Sequence, residues 1–215
     1  MDITTIIFLV IILSVSIWLH EYAHAAMSHY LWDPTPKLQN RLSPNPIKHI
    51  DPIGFLMIFL IGFWRWKPVQ INPGYYKKPL QWELLVALAW PATNIILAIV
   101  AILIMVIYVT ISWWPAMLVQ GSTDMMLTFR QLFAFINIAL AVFNMLPIPP
   151  LDWFRLVKVA APRFAYTIEK YNMYIMIAFL FIILWPGRWI VGNFISGTSQ
   201  AIFNIILAIL TTVIY

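Results

Sequence analysis

Residues 3–30 read ITTIIFLVIILSVSIWLHEYAHAAMSHY, and this apolar stretch decides the fold. Its first part, residues 3–19, contains no charged side chain, and a helix needs about 20 mostly apolar residues to cross a bilayer. A cleavable signal peptide carries Lys or Arg ahead of its apolar run, whereas Asp2 stands there in this chain. The stretch therefore predicts a retained membrane-spanning helix.

The whole chain has the composition of a membrane protein. Of its 215 residues, 62% are hydrophobic and 10% are charged, and the mean hydropathy is +0.85. Soluble domains are about 45–50% apolar and about 25% charged, so this composition excludes a water-soluble enzyme, a disordered chain and a fibrous repeat. The lack of Cys excludes disulfides and thiol chemistry, and the net charge of +5 forms no basic arm that would bind nucleic acid. We predict an all-α, polytopic membrane helix bundle that forms a single domain, residues 1–215.

Apolar blocks divide the chain into predicted spans. They cover residues 3–30, 53–64, 83–111, 129–148, 171–185 and 189–215. Block 53–64 is shorter than the shortest usual span of about 17 residues, so we expect it to re-enter the membrane without crossing it. Lys and Arg favour the cytoplasmic side, and they cluster after the first, second and fourth blocks. This distribution predicts five crossings plus a re-entrant segment, with the N-terminus outside.

The sequence HEYAH, residues 20–24, places ionisable side chains inside the first span. His20 and His24 lie four positions apart, about 40° apart around a helix, so both imidazoles can reach one metal ion. Glu21 projects beside them and can act as general base on a metal-bound water. Ionisable groups within a span are costly and mark functional sites. The structural alternative is a polar face that is hydrogen-bonded to neighbouring helices or lies at the membrane interface.

A catalytic zinc site has three protein ligands and an open fourth position, so the two histidines need a third ligand. We predict Asp152, which follows NMLPIPPL, residues 144–151. The three prolines must break the helix at membrane depth, and such a break is tolerated only beside protein or a water-filled cavity. The alternative role of Asp152 is a helix N-cap. HEYAH and Asp152 are both expected near the cytoplasmic face.

Together these motifs resemble the site-2 proteases, which are zinc-dependent intramembrane endopeptidases. The similar segments follow one another in the family's order, beginning with HEYAH (20–24). Residues 41–54 and 67–73 are similar to a prokaryotic branch of the family. AWPATN (89–94) resembles the family motif Ala-Gly-Pro-x-x-Asn, and residues 144–152 resemble the motif Asn…Pro…Leu-Asp-Gly. At two positions, Trp90 and Trp153, this chain has tryptophan where the family pattern has glycine.

The resemblance implies a three-helix catalytic core that holds one Zn²⁺ per chain. His20, His24 and Asp152 would be the zinc ligands, and Glu21 would activate zinc-bound water to hydrolyse a peptide bond. The substrate would be a transmembrane helix of another protein or peptide, cut near the cytoplasmic face. The enzyme would lie in the cell membrane of a prokaryote.

Three further polar residues are candidate contacts to the substrate or the transition state. Asn144 could bond the scissile carbonyl or its own neighbouring backbone. His49 could stabilise an oxyanion or lie in an ordinary surface loop. Asn94 could touch the substrate, but packing between helices is the simpler interpretation.

Two other functions stay open at this point. A catalytically inactive relative would act as a scaffold that binds membrane proteins, with Trp90 and Trp153 filling the cleft. A metal transporter would use the same ligands to bind the metal ion on its way across the membrane, but it needs further ionisable residues along that path. Residues 83–111 and 189–215 contain only Glu83 of that kind, which argues against transport.

Overall fold

The computed structural model describes residues 2–43, 45–49, 69–111, 125–149, 151–184 and 188–214. Within these residues every regular element is a helix, so the predicted all-α class is confirmed. The helices are α1 (Ile3–Tyr30), α2 (Thr35–Leu38), α3 (Pro79–Ile111), α4 (Met125–Asn144), α5 (Phe154–Ala160), α6 (Pro162–Lys170), α7 (Asn172–Leu184) and α8 (Arg188–Ile214), with single 3₁₀ turns at Pro46–Lys48 and Pro73–Tyr75.

In the part of the chain that the structure describes, four helices are long and apolar enough to cross a membrane, namely α1, α3, α4 and the part Trp189–Ile214 of α8. The fifth predicted block corresponds to α7, which has 13 residues. At 1.5 Å per residue it is about 20 Å long, shorter than the roughly 30 Å hydrocarbon core. The expected re-entrant block 53–64 lies outside the described residues. The polytopic class is therefore confirmed, and the five-crossing topology stays a prediction.

Small side chains allow the central helices to pack closely. Ala98 of α3 and Ala134 and Ile138 of α4 belong to one buried cluster, against which α8 also packs. Small residues suit this position because lipid offers no hydrophobic driving force, so helices associate through close backbone approach and hydrogen bonds. Nδ2 of Asn137 on α4 donates to Oγ of Ser16 on α1 at 2.9 Å. This buried bond links α1 to the same bundle.

The chain reverses sharply where α1 ends. Trp32 N–H donates to the His29 carbonyl at 3.0 Å, and Asp33 N–H donates to the Ser28 carbonyl at 3.1 Å, which are the two bonds of a Schellman cap. The cap needs a left-handed residue, a role that glycine usually fills, and Trp32 adopts it here with φ 71°. The reversal buries Asp33, whose Oδ2 accepts hydrogen bonds from Ser28 Oγ and Asn72 N–H, both at 2.8 Å.

Candidate metal centre

Helix α1 and the loop before α5 bring three predicted ligands together. Nε2 of His20 lies 3.4 Å from Oδ2 of Asp152, and Nε2 of His24 lies 3.3 Å from Oδ1. One ligand atom from each residue lies within 4.8 Å of the other two, so the group could hold a metal ion. Among the residues that the structure describes, Nε2 of His24 is buried without a hydrogen-bond partner. A buried, unpaired nitrogen beside a carboxylate fits an atom whose partner is a metal.

The proline-rich loop brings Asp152 back to the histidines. Helix α4 ends at Asn144, and the N–H of Trp153 returns to donate to the Asn144 carbonyl at 3.2 Å. The N-cap residue of α5 is Trp153 rather than Asp152. The carboxylate of Asp152 therefore faces the histidines instead of capping a helix. Nε of Arg155 lies 3.6 Å from Oδ1 of Asp152.

Glu21 lies beside the same atoms and is buried. Its Oε1 is 4.0 Å from Nε2 of His20, and its Oε2 accepts a 2.8 Å hydrogen bond from the backbone N–H of Val69. One carboxylate oxygen is thus anchored by the chain, while the other is the one nearest the ligand group. This arrangement suits a base that must act at a fixed place.

Helix α3 supports both histidines. Nδ1 of His24 lies 3.1 Å from the carbonyl oxygen of Val86. A carbonyl can only accept, so Nδ1 carries the proton and Nε2 keeps its lone pair for a metal. The indole of Trp90 packs on the His20 ring with centroids 4.3 Å apart. Val86 and Trp90, which make these two contacts, lie one helical turn apart on α3.

The structure places two of the lower-ranked candidates in local hydrogen bonds. Nδ2 of Asn144 donates to the Leu140 carbonyl of its own helix at 3.1 Å. The ring of His49 is buried in its loop, with Nε2 3.0 Å from the Ser43 carbonyl. Burial lowers the pKa of His49 and the nearby Arg41 charge lowers it further, although the bond to Ser43 opposes them. A neutral His49 at pH 7 follows.

Asn94 is different, because it is fully buried on α3 and neither atom of its side-chain amide has a hydrogen-bond partner among the described residues. It lies one helical turn beyond Trp90. The sequence marked Val69 only as part of the family-like segment 67–73 and did not single out Val86. Both contact the site through backbone atoms, which every residue type possesses, so residue type gave neither of them a role.

Two comparisons with known proteins found a match for this chain. The sequence model of peptidase family M50 matches residues 115–183, a segment that includes Asp152 but not HEYAH. A protein of Bacillus subtilis (strain 168), "Putative zinc metalloprotease YwhC", is 33% identical over 204 residues, which cover 94% of this chain and 92% of the relative. No solved structure matches the chain.

The fold and the site define a membrane-embedded zinc metalloprotease class. Within that class, the chain belongs to peptidase family M50, the site-2 protease family. The resemblance recognised from the motifs is confirmed, and so is zinc as the cofactor, for which His20, His24 and Asp152 form a suitable group.

Proposed function

We propose that this protein is an intramembrane zinc endopeptidase in which His20, His24 and Asp152 hold the metal and Glu21 is the general base. The observation that carries the proposal is the convergence of three ligand atoms within 4.8 Å of one another, with the Glu21 carboxylate 4.0 Å from one of them. The donor set is the chemistry of a catalytic zinc site, in which three protein ligands leave one position open.

His20, His24 and Asp152 would hold the zinc ion, which would supply Lewis-acid chemistry for the scissile carbonyl and the attacking water. Glu21 takes the proton from that water and returns it to the leaving amine. The Val69 N–H on Oε2 fixes the rotation of the carboxylate, so that Oε1 performs both transfers. Val86 holds the proton of His24 on Nδ1, and Arg155 balances the charge of Asp152.

The proposed substrate is a transmembrane segment of another protein. An α-helix uses its own backbone groups in internal hydrogen bonds, so the substrate must unwind before its amide reaches the site. The side-chain amide of Asn94, which is buried and has no hydrogen-bond partner among the described residues, supports a contact to such an exposed backbone. Asn144, which bonds its own helix, and His49, which bonds its own loop, would need to change partners to take part.

The proposed topology puts cleavage near the cytoplasmic face. HEYAH lies in the second half of α1, and basic residues such as Lys37 and Arg41 follow soon after, on the side that the positive-inside rule assigns to the cytoplasm. The same rule supports an N-terminus outside the cell and a chain that crosses the membrane five times. We take residues 1–215 as one domain. In this arrangement α1, α3 and α4 form the three-helix core.

Metal removal from the full chain in liposomes tests the proposal. Cleavage of a model transmembrane substrate should stop when zinc is chelated and return when about one Zn²⁺ per chain is restored, whereas Mg²⁺ should not restore it. Cleavage that survives complete zinc removal would contradict the proposal. Zinc binding without cleavage of any of several transmembrane substrates would also contradict it and favour the scaffold.

A further inference from the structure

The two histidines of HEYAH are held in different ways. His24 donates from Nδ1 to the Val86 carbonyl, which is the usual support of a metal-ligating imidazole, since the second ring nitrogen almost always donates to a carbonyl, carboxylate or water. Among the residues that the structure describes, Nδ1 of His20 has no corresponding hydrogen bond. The His20 ring therefore lacks the backbone support that the His24 ring has among these residues.

The indole of Trp90 lies where that support is missing. Its ring centroid is 4.3 Å from that of His20 with an interplanar angle of 37°, but 6.5 Å from that of His24. Trp90 is 1% exposed, so its ring is fixed by the surrounding helices. Val86 and Trp90 are four residues apart on α3, as His20 and His24 are on α1. One face of α3 therefore supports both rings, with a carbonyl for His24 and an aromatic face for His20.

We propose that Trp90 is a positioning residue, which holds the His20 imidazole by ring packing so that Nε2 points to the metal. The inference rests on the proposed role of His20 as a zinc ligand. A freely rotating ring would have to be ordered each time the metal binds, and stacking removes that cost before binding. The family pattern that the motifs resemble has glycine at this position, and glycine has no side chain to pack on the histidine.

Zinc affinity of the full chain in detergent, measured by competition with a chelator, tests the inference. Trp90→Phe keeps a ring, whereas Trp90→Leu and Trp90→Met keep apolar volume without one. We expect Trp90→Phe to bind zinc nearly as tightly as the wild type and both aliphatic variants to bind about tenfold or more weakly, the effect typical of losing a ligand's supporting contact. Trp189→Leu is the matched control, because Trp189 is 76% exposed and lies outside the site.

Cobalt substitution adds a readout that a general loss of packing would not move. The visible absorption of bound Co²⁺ reports ligand geometry, so it should change in the two aliphatic variants and stay unchanged in Trp90→Phe. Equal zinc affinity in all variants, or an equal loss in Trp90→Phe and Trp90→Leu, would overturn the role of ring packing. A wild-type protein that binds no zinc would instead overturn the proposed function itself.

A measurement on the wild-type protein tests the packing without changing Trp90. An indole face shifts the proton resonances of a stacked ring upfield, so in the histidine-labelled wild type the ring protons of His20 should lie upfield of those of His24. Assignment uses single His→Gln variants. Equal shifts for the two rings would contradict the proposed packing.

Discussion

The backbone N–H of Val69 donates a 2.8 Å hydrogen bond to Oε2 of Glu21. Residues 69–76 form a segment that returns to α1 at its far end. There the Tyr76 hydroxyl lies 2.7 Å from Oγ of Ser28. The segment thus runs beside α1 from the proposed base to the end of the helix. The orientation of the base depends on residues that lie far from HEYAH in the sequence.

Removing this N–H should slow catalysis without removing zinc. Val69→Pro lacks the donor, and a hydrogen bond to a charged group contributes about 1.5–3 kcal/mol. We expect kcat to fall about ten- to hundredfold, with unchanged zinc content, in a cleavage assay on liposomes. Val69→Ala keeps the N–H and is the control. A wild-type kcat in Val69→Pro, or an equal fall in Val69→Ala, would show that the contact does not position the base.

Loss of the charge on Asp152 should weaken zinc binding. An amide is a poorer zinc ligand than a carboxylate, so Asp152→Asn should bind zinc more than about tenfold more weakly than the wild type. Glu169→Gln is the matched control, because it removes the same charge from a carboxylate that pairs with Lys158 away from the ligand group. Chelator competition measures both. Unchanged zinc affinity in Asp152→Asn would mean that the third ligand is another residue.

Asp33 should make the free energy of unfolding depend on pH in the acidic range. Burial alone would raise the pKa of Asp33, but hydrogen bonds from Thr35, Asn72 and Ser28 hold that pKa below its ordinary value. A carboxyl group whose pKa is lower in the folded state stabilises the fold above the unfolded pKa of about 3.9, and this contribution is lost as pH falls through the folded pKa.

The variant Asp33→Asn tests this predicted direction of the pH dependence. Both carboxylate oxygens of Asp33 accept hydrogen bonds, whereas Asn has a single, uncharged acceptor oxygen, so we expect a loss of about 1–3 kcal/mol in the free energy of unfolding at pH 7. Thermal unfolding in detergent at pH 7 and near pH 3 should show the difference from the wild type shrinking in acid. A difference of the same size at both pH values would contradict the role of the charge.

Much of the site could be predicted from the sequence because its signals are periodic or steric. The i, i+4 spacing of His20 and His24 fixes their common helical face whatever surrounds the helix. Three prolines must end α4, and the turn they force carries Asp152. These constraints are local, so they hold without knowledge of the packing.

The contacts that support the proposed ligands and base depend on which helices and segments lie side by side. The supports from Val69 and Val86 use backbone atoms, and only the packing of α1 against distant segments selects them. Trp90 stood out in the sequence as a departure from the family pattern, but its contact with His20 follows from the facing of α1 and α3. The Asp33 network similarly joins the end of α1 to residues that follow block 53–64.

The central claim is that Glu21 is the base beside a zinc ion held by its neighbours. The most direct measurement compares zinc content and cleavage of a model transmembrane substrate between the wild type and Glu21→Gln in liposomes. The amide oxygen of Gln can still accept from Val69 but cannot take the proton. We predict about one Zn²⁺ per chain in both proteins and a rate that is about 10²–10⁴-fold lower in Glu21→Gln. Equal zinc content with equal cleavage rates would contradict the account.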